Sequence, residues 1–270
     1  MGINLVAARG IMLYNKPKFS KGEEMSGNSM LLYGKNSVFE RLKVRPETIS
    51  KIFLRDNFED KEILRLIQNK KIPVETLTTK ELDNVKPGKD LQGIVAAVKE
   101  FGYSSFDGLI KDQGDSRLTI IFLDRLFDPH NLGVIMRTAA CFGGFGIVIP
   151  KHNACEVTEA ALHVASGGEN YVPVCKVTNL SSAIIKAKDS GYWIMGGTVA
   201  DDAQYLNEIS VPFPLGLVLG SEGEGIRYGV EKHLDIKARI PMYGAGLSFN
   251  VAMASAIFCY EVSKQRAGIQ

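Results

Sequence analysis

Apolar residues in the second half of the chain come in short, nearly unbroken runs: LTIIFLD, FGIVIP, YVPVCKV, GYWIMGGT, LGLVLG and KARIPM. Continuous runs of this length, without polar alternation, predict parallel strands covered on both faces. Segments of helical period fall between most of them: EVTEAALHVAS, LSSAIIKAKDS, GIRYGVEKH and the long closing SFNVAMASAIFCYEVSKQR. The segment FDPHNLGVIMRTAACFGGFG, residues 127–146, has Leu132, Ile135, Met136 and Ala139 at the spacing of one helix face. Asp128 and Pro129 read as its start and Gly143 as its stop. Between those signals Arg137 is the lone charge on a helix otherwise suited to burial. Alternating strand and helix over residues 118–270 predicts one parallel α/β domain, with ligands at the carboxyl ends of its strands.

Residues 29–103 alternate differently. NSVFERLKV reads as helix, KIFLRD as extended, DKEILRLIQNK as helix, IPVETL as strand, TKELDNV as a short helix and LQGIVAAVKEF as a closing strand. This length suffices for a small α/β domain. Residues 104–117 mix Ser, Gly and Asp without a hydrophobic repeat and are expected to form a linker. Residues 1–28 have no convincing period and are expected to be a flexible extension; they lack the apolar core of a secretory signal.

Composition adds modest constraints. The 270 residues carry a net charge of +2, and no apolar run approaches the span of a membrane helix. The charge is +2 over residues 1–28, +3 over 29–103 and −3 over 104–270, a mildly basic front compatible with an RNA-facing surface. Cys141, Cys155, Cys175 and Cys259 form no CxxC pair. They are expected to be buried free thiols in a reducing cytoplasm, not a zinc or redox site. The four histidines are scattered, and no metal site is expected.

The glycine-rich turns fail the usual nucleotide patterns. LVLGSEGEGI lacks the Gly-Lys-Ser/Thr of a P-loop and has GxGxxG spacing reversed, and CFGGFG precedes a strand instead of following one. Three polar-and-glycine clusters remain: Asn131 with Arg137; Gly220, Glu222, Gly223 and Gly225; and IPMYGAGLSFN with Ser248 and Asn250. Gly133 shares a helix face with Arg137 and is expected to leave room there for a bulky group. Arg137 offers a fork for phosphate, or an internal ion pair to an acid such as Glu222. Ser248 and Asn250 suit either catalysis or capping of the last helix. His130 is expected to serve as helix-start scaffolding.

Taken together, DPHNLGVIMRTAACFG, LVLGSEGEGI and IPMYGAGLSFNVAMASAI resemble, in order and approximate spacing, the motifs of the SpoU/TrmH (SPOUT) family of RNA ribose 2′-O-methyltransferases. The stretch from LLYGKNSVFERL to LQGIVAAV resembles the ribosomal-protein-L30-like substrate-binding domain of its two-domain members. The resemblance implies a trefoil-knotted methyltransferase domain over 118–270 behind an L30-like domain over 29–103. It implies S-adenosylmethionine as cofactor, held near Thr198, Gly220, Ile240 and Phe249. Arg137, Asn131, Glu222, Ser248 and Asn250 would form the catalytic group, with Arg137 beside the ribose hydroxyl. The implied substrate is RNA, large-subunit ribosomal RNA by the two-domain layout, and the implied assembly is a cytoplasmic homodimer through the knotted domain. Phe249 departs from the family's usual Leu. The rival readings are an RNA-binding protein without turnover and a methyltransferase acting on a base nitrogen.

Overall fold

The computed structural model describes residues 29–88, 90–111, 118–221 and 223–268. The expected extension over 1–28 and the later part of the expected linker lie outside these residues.

The front region runs β1 (Ser29–Tyr33), α1 (Lys35–Val44), β2 (Ile49–Arg55), α2 (Lys61–Lys70), β3 (Val74–Leu77), α3 (Thr79–Val85) and β4 (Ile94–Lys99). Its sheet has the order β1-β4-β2-β3. β4 pairs antiparallel with β1 and β2, and β3 lies parallel to β2 after the α2 crossover. Successive side chains point to opposite faces of a strand. Leu31, Phe53, Val95 and Ala97 therefore pack on Leu82 of α3, while Leu32, Ile52, Leu54, Ile94, Ala96 and Val98 pack toward α1 and α2. β1 is an edge strand that the periodicity of the sequence does not reveal, because SMLLY shows no alternation of apolar and polar positions.

α4 (Phe106–Ile110) lies within the stretch expected to be a linker. Ser105 caps it, with Oγ accepting the Gly108 N–H at 3.1 Å, and Leu109 and Ile110 are buried. Five residues are too few to show a helical period, so packing against β7 and β6 makes this helix visible only in the fold.

The back region continues with β5 (Thr119–Leu123), α5 (Pro129–Phe142), β6 (Phe145–Pro150), α6 (Glu159–Ala165), β7 (Val174–Val177), α7 (Leu180–Asp189), β8 (Trp193–Gly197), β9 (Gln204–Tyr205), β10 (Leu215–Leu219), α8 (Tyr228–Glu231), β11 (Ile236–Arg239) and α9 (Val251–Arg266). The seven strands are ordered β7-β6-β5-β10-β8-β11-β9 and every pairing is parallel. Both faces are covered: Ile120, Phe122 and Val218 meet α4 and α7, while Ile121, Leu123 and Leu217 meet the side that holds α5, α6 and α9. That explains the unbroken apolar runs.

Local chemistry sets the helix ends. Asp128 Oδ1 accepts the His130 N–H at 2.8 Å, Pro129 opens α5, and Gly143 closes it at φ 70°. These are the ends that the sequence predicts.

The two regions share one apolar core. Val38 and Leu42 of α1 belong to the same buried cluster as Leu132, Ile135, Leu162 and Ala165. His163 of α6 stacks on Tyr33 with ring centroids 4.2 Å apart, and Glu159 Oε1 accepts the Leu31 N–H at 2.7 Å. The front region is thus built onto α6 and α5, not merely tethered by 104–117.

Three of the four thiols are fully or partly buried, but Cys141 is exposed, contrary to the expectation of burial for all four. Burial pushes the Cys155 thiol up to about 11 and the Cys259 thiol up to about 12. Only the thiolate is nucleophilic, so at pH 8 these two stay protonated and inert. Alkylation of the native protein, read by peptide mass spectrometry, is expected to label Cys141 first and Cys259 only after unfolding. Early labelling of Cys259 would contradict the packing of α9.

Candidate active site

Three segments that follow strands of the back sheet meet around one cavity of about 520 Å³, within the range of cofactor pockets. They are the end of β8 with Thr198, the turn after β10 from Gly220 to Ile226, and the segment from Ile240 to Val251 that leads into α9. Thr198, Gly220, Ile240 and Phe249, the four residues that the resemblance assigns to a cofactor, all line it, as do Ser248 and Asn250. Leu219, Ile226, Ile240 and Phe258 give it apolar walls, while glycines at 197, 220, 223 and 225 bring main chain to its surface. Phe249 is 47% exposed at the rim. A flat heteroaromatic ring with a polar edge suits such a lining.

The turn after β10 is held tightly. Ser221 and Gly225 exchange two main-chain hydrogen bonds of 3.2 and 3.1 Å, and Gly223 and Gly225 have positive φ values of 88° and 65°. Glycine adopts this conformation without the penalty of a Cβ. A Cβ on Gly220 would overlap the Gly225 carbonyl group and the Ile226 nitrogen.

Asp124, fully buried at the end of β5, anchors the same turn. Its Oδ2 accepts the Arg227 main-chain N–H at 2.9 Å, and its Oδ1 accepts Arg227 Nε at 2.8 Å. Arg125 pairs with Glu224 at 2.5 Å. The clasp joins residues 103 positions apart and leaves little trace in the sequence. Its one local signal is an Asp that ends the apolar run LTIIFLD at the carboxyl end of a strand.

Asn131 and Asn250 come together although 119 residues separate them: Asn250 Nδ2 donates to Asn131 Oδ1 at 3.2 Å. Asn250 Oδ1 also accepts the Ala252 N–H at 2.9 Å and caps α9. Asn250 therefore caps α9 and also lines the cavity. One side chain fixes the start of α9 and ties it to the first turn of α5 at the edge of the cavity.

Arg137 lies elsewhere. It is six residues beyond Asn131, about 9 Å along the helix, is exposed, and does not line the cavity. Among the described residues it reaches Ser166 Oγ at 3.5 Å. Glu222, the expected alternative partner and site acid, lies outside the described residues. The expectation for Gly133 is overturned: a Cβ there would sit 2.6 Å from Ala161 O and 2.7 Å from Val164 Cβ. The missing side chain admits α6, and no pocket opens beside it. His130 is exposed, and its Nδ1 lies 3.1 Å from Asp128 Oδ1 at the start of α5.

Residues 118–260 match the profile of the SpoU rRNA Methylase family, and residues 31–104 match that of RNA 2′-O ribose methyltransferase substrate binding. A TrmH-family tRNA/rRNA methyltransferase of Staphylococcus saprophyticus is 35% identical over 88% of this chain and 96% of its own length. The SpoU methyltransferase AviRb from Streptomyces viridochromogenes, solved in complex with the cofactor AdoMet, superposes with a TM-score of 0.74 at 20% identity, over 89% of this chain and 91% of that one. An AdoMet-bound rRNA methyltransferase from Sinorhizobium meliloti does so with a TM-score of 0.71 at 20% identity, over 88% and 87%. On its match to the family profile across more than half its length and its identity to such a relative along nearly all of it, the chain belongs to the SpoU/TrmH family of RNA methyltransferases.

Proposed function

We propose that this chain transfers the methyl group of S-adenosylmethionine to a ribose 2′-hydroxyl of large-subunit ribosomal RNA. The observation that carries the reading is the Asn131–Asn250 hydrogen bond at the edge of a cavity lined by Thr198, Gly220, Ile240 and Phe249. The family membership and the match of the front region to a 2′-O ribose methyltransferase substrate-binding profile support it. The ribosomal choice rests on the two-domain layout of this chain and on its superposition, over 88% of its length, with the rRNA methyltransferase of S. meliloti. In this reading residues 29–103 receive RNA and residues 118–270 carry the chemistry.

S-adenosylmethionine supplies an electrophilic methyl group when bound. Ile240 and Phe249 would enclose its adenine, and the Gly220 turn would bring main-chain groups to its polar edges. Asn131 and Asn250 would orient the ribose beside Ser248, with Glu222 in the same group. Arg137 would hold an RNA phosphate and stabilise the ionised hydroxyl. A fixed guanidinium acts as a charge stabiliser, not as an ordinary base. In-line geometry would then supply much of the rate.

Arg137 does not border the cavity of its own chain, so the reading brings it to the site through a second copy. Phe142 of α5, with Met253 and Tyr260 of α9, presents exposed apolar surface on neighbouring helices that suits a homodimer.

The test is methylation with labelled S-adenosylmethionine, first on ribosomal RNA and then on transfer RNA, followed by nuclease digestion. The expected product is a 2′-O-methylated nucleoside from large-subunit RNA. A base-methylated nucleoside, product from transfer RNA alone, or cofactor binding without any transfer would each overturn the assignment.

A further inference from the structure

The turn SGGEN, residues 166–170, stands between the front region and Arg137. On one side it meets α1: Arg41 Nη2 donates to Glu169 Oε1 at 3.0 Å, and the two residues are 5% and 1% exposed. Arg45 Nη2 donates to Asn170 O at 3.4 Å, Tyr171 Oη donates to Glu40 Oε2 at 2.5 Å, and Gly167, at φ 94°, lies against the Glu40 side chain.

On its other side the turn meets α5 at Arg137. A Cβ on Gly168 would stand 2.9 Å from Arg137 Cα and 3.2 Å from its nitrogen, and Ser166 Oγ lies 3.5 Å from Arg137 Nη1. Asn170 closes the turn on itself, donating to Gly167 O at 2.9 Å and to Glu169 Oε1 at 3.2 Å. Glu169 Oε2 and Arg41 Nε are buried and have no hydrogen-bond partner among the described residues. Burial pushes the Glu169 carboxyl up, and Arg41 opposes that rise. Stability does not require such a pair, since apolar replacements of buried ion pairs are often at least as stable. A single geometry for the turn is what the pair does provide.

We propose that Arg41 and Glu169 are positioning residues for Arg137: the buried pair fixes the 166–170 turn against α5 and so registers the RNA-receiving region with the catalytic guanidinium. Neither residue touches substrate. The inference rests on the role given to Arg137 above, and the experiment separates the two.

Single-turnover methylation is measured with RNA and S-adenosylmethionine saturating, alongside the affinity for each and thermal unfolding. Arg41→Met leaves a buried carboxylate unpaired and is expected to slow the single-turnover rate about 10- to 100-fold, the scale of a 1 Å misplacement. Both affinities should stay within about threefold on that scale of effects. Adding Glu169→Gln removes the stranded charge while keeping an oxygen for Asn170, and the rate should recover to within about fivefold. Ser166→Ala, which leaves the ion pair whole, is expected to slow the rate with little change in unfolding temperature, and it keeps the proposal testable if Arg41→Met does not fold.

Lost RNA affinity that Glu169→Gln fails to rescue would make Arg41 an RNA contact and overturn the proposal. So would a normal rate in Ser166→Ala, or an Arg41→Met protein that is merely less stable. If Arg137→Ala itself turns over normally, the role of Arg137 fails; if Arg137→Ala is inactive while Arg41→Met is normal, only the positioning fails.

Discussion

Arg137→Ala is expected to lower methyl transfer about 10³-fold, the upper range for removing one fixed charge stabiliser from an active site, while cofactor affinity stays within a few fold. The split follows from position: Arg137 does not line the cavity that Thr198, Gly220, Ile240 and Phe249 line. Calorimetry with S-adenosylmethionine and a transfer assay on ribosomal RNA measure the two halves separately. Turnover near that of the unmodified protein would remove Arg137 from the chemistry. Loss of cofactor binding would mean that Arg137 supports the fold of the pocket instead. Arg137 is also exposed and packed at its main chain by Gly168, so truncation leaves no buried void, and folding should be retained.

Gly220→Ala is expected to weaken cofactor binding about a hundredfold or more, equivalent to about 2.7 kcal/mol and inside the 1–3 kcal/mol typical of overpacking. The added methyl meets the Gly225 carbonyl and the Ile226 nitrogen, which are main-chain atoms that no rotamer change can move. The Ser221–Gly225 bridge and the Asp124–Arg227 clasp hold the turn on both sides, so relief would have to break one of them. Gly229→Ala is the matched control, because a Cβ there meets nothing within 4 Å. Calorimetry on both variants checks the prediction; binding by Gly220→Ala within threefold of the unmodified protein would show that the turn opens more easily than its hydrogen bonds indicate.

Much of the scaffold was legible from local chemistry. The ends of α5 follow from Asp128, Pro129 and Gly143, whose effects act within a few residues. The strands of the back sheet follow from unbroken apolar runs, because burial on both faces leaves no polar alternation. α4 and the two-residue β9 are too short for a period to register, and β1 is an edge strand with no turn signal or apolar alternation in its sequence SMLLY to mark it. The fit of Gly133 against Ala161 and Val164 is hidden for a different reason: a glycine's missing side chain is visible in sequence, but what fills its place is not.

The cap at Asp128, the inward face of α5, the doubly covered strands and the family's motifs can all be read locally, since they depend on neighbours within one or two turns. Only the tertiary fold brings Asn131 to Asn250 across 119 residues and Arg41 to Glu169 across 128, and leaves Arg137 off the lining of the cavity of its own chain. Pairings at such separations are set by how helices pack on a sheet and on one another, and no local period of the chain records that geometry.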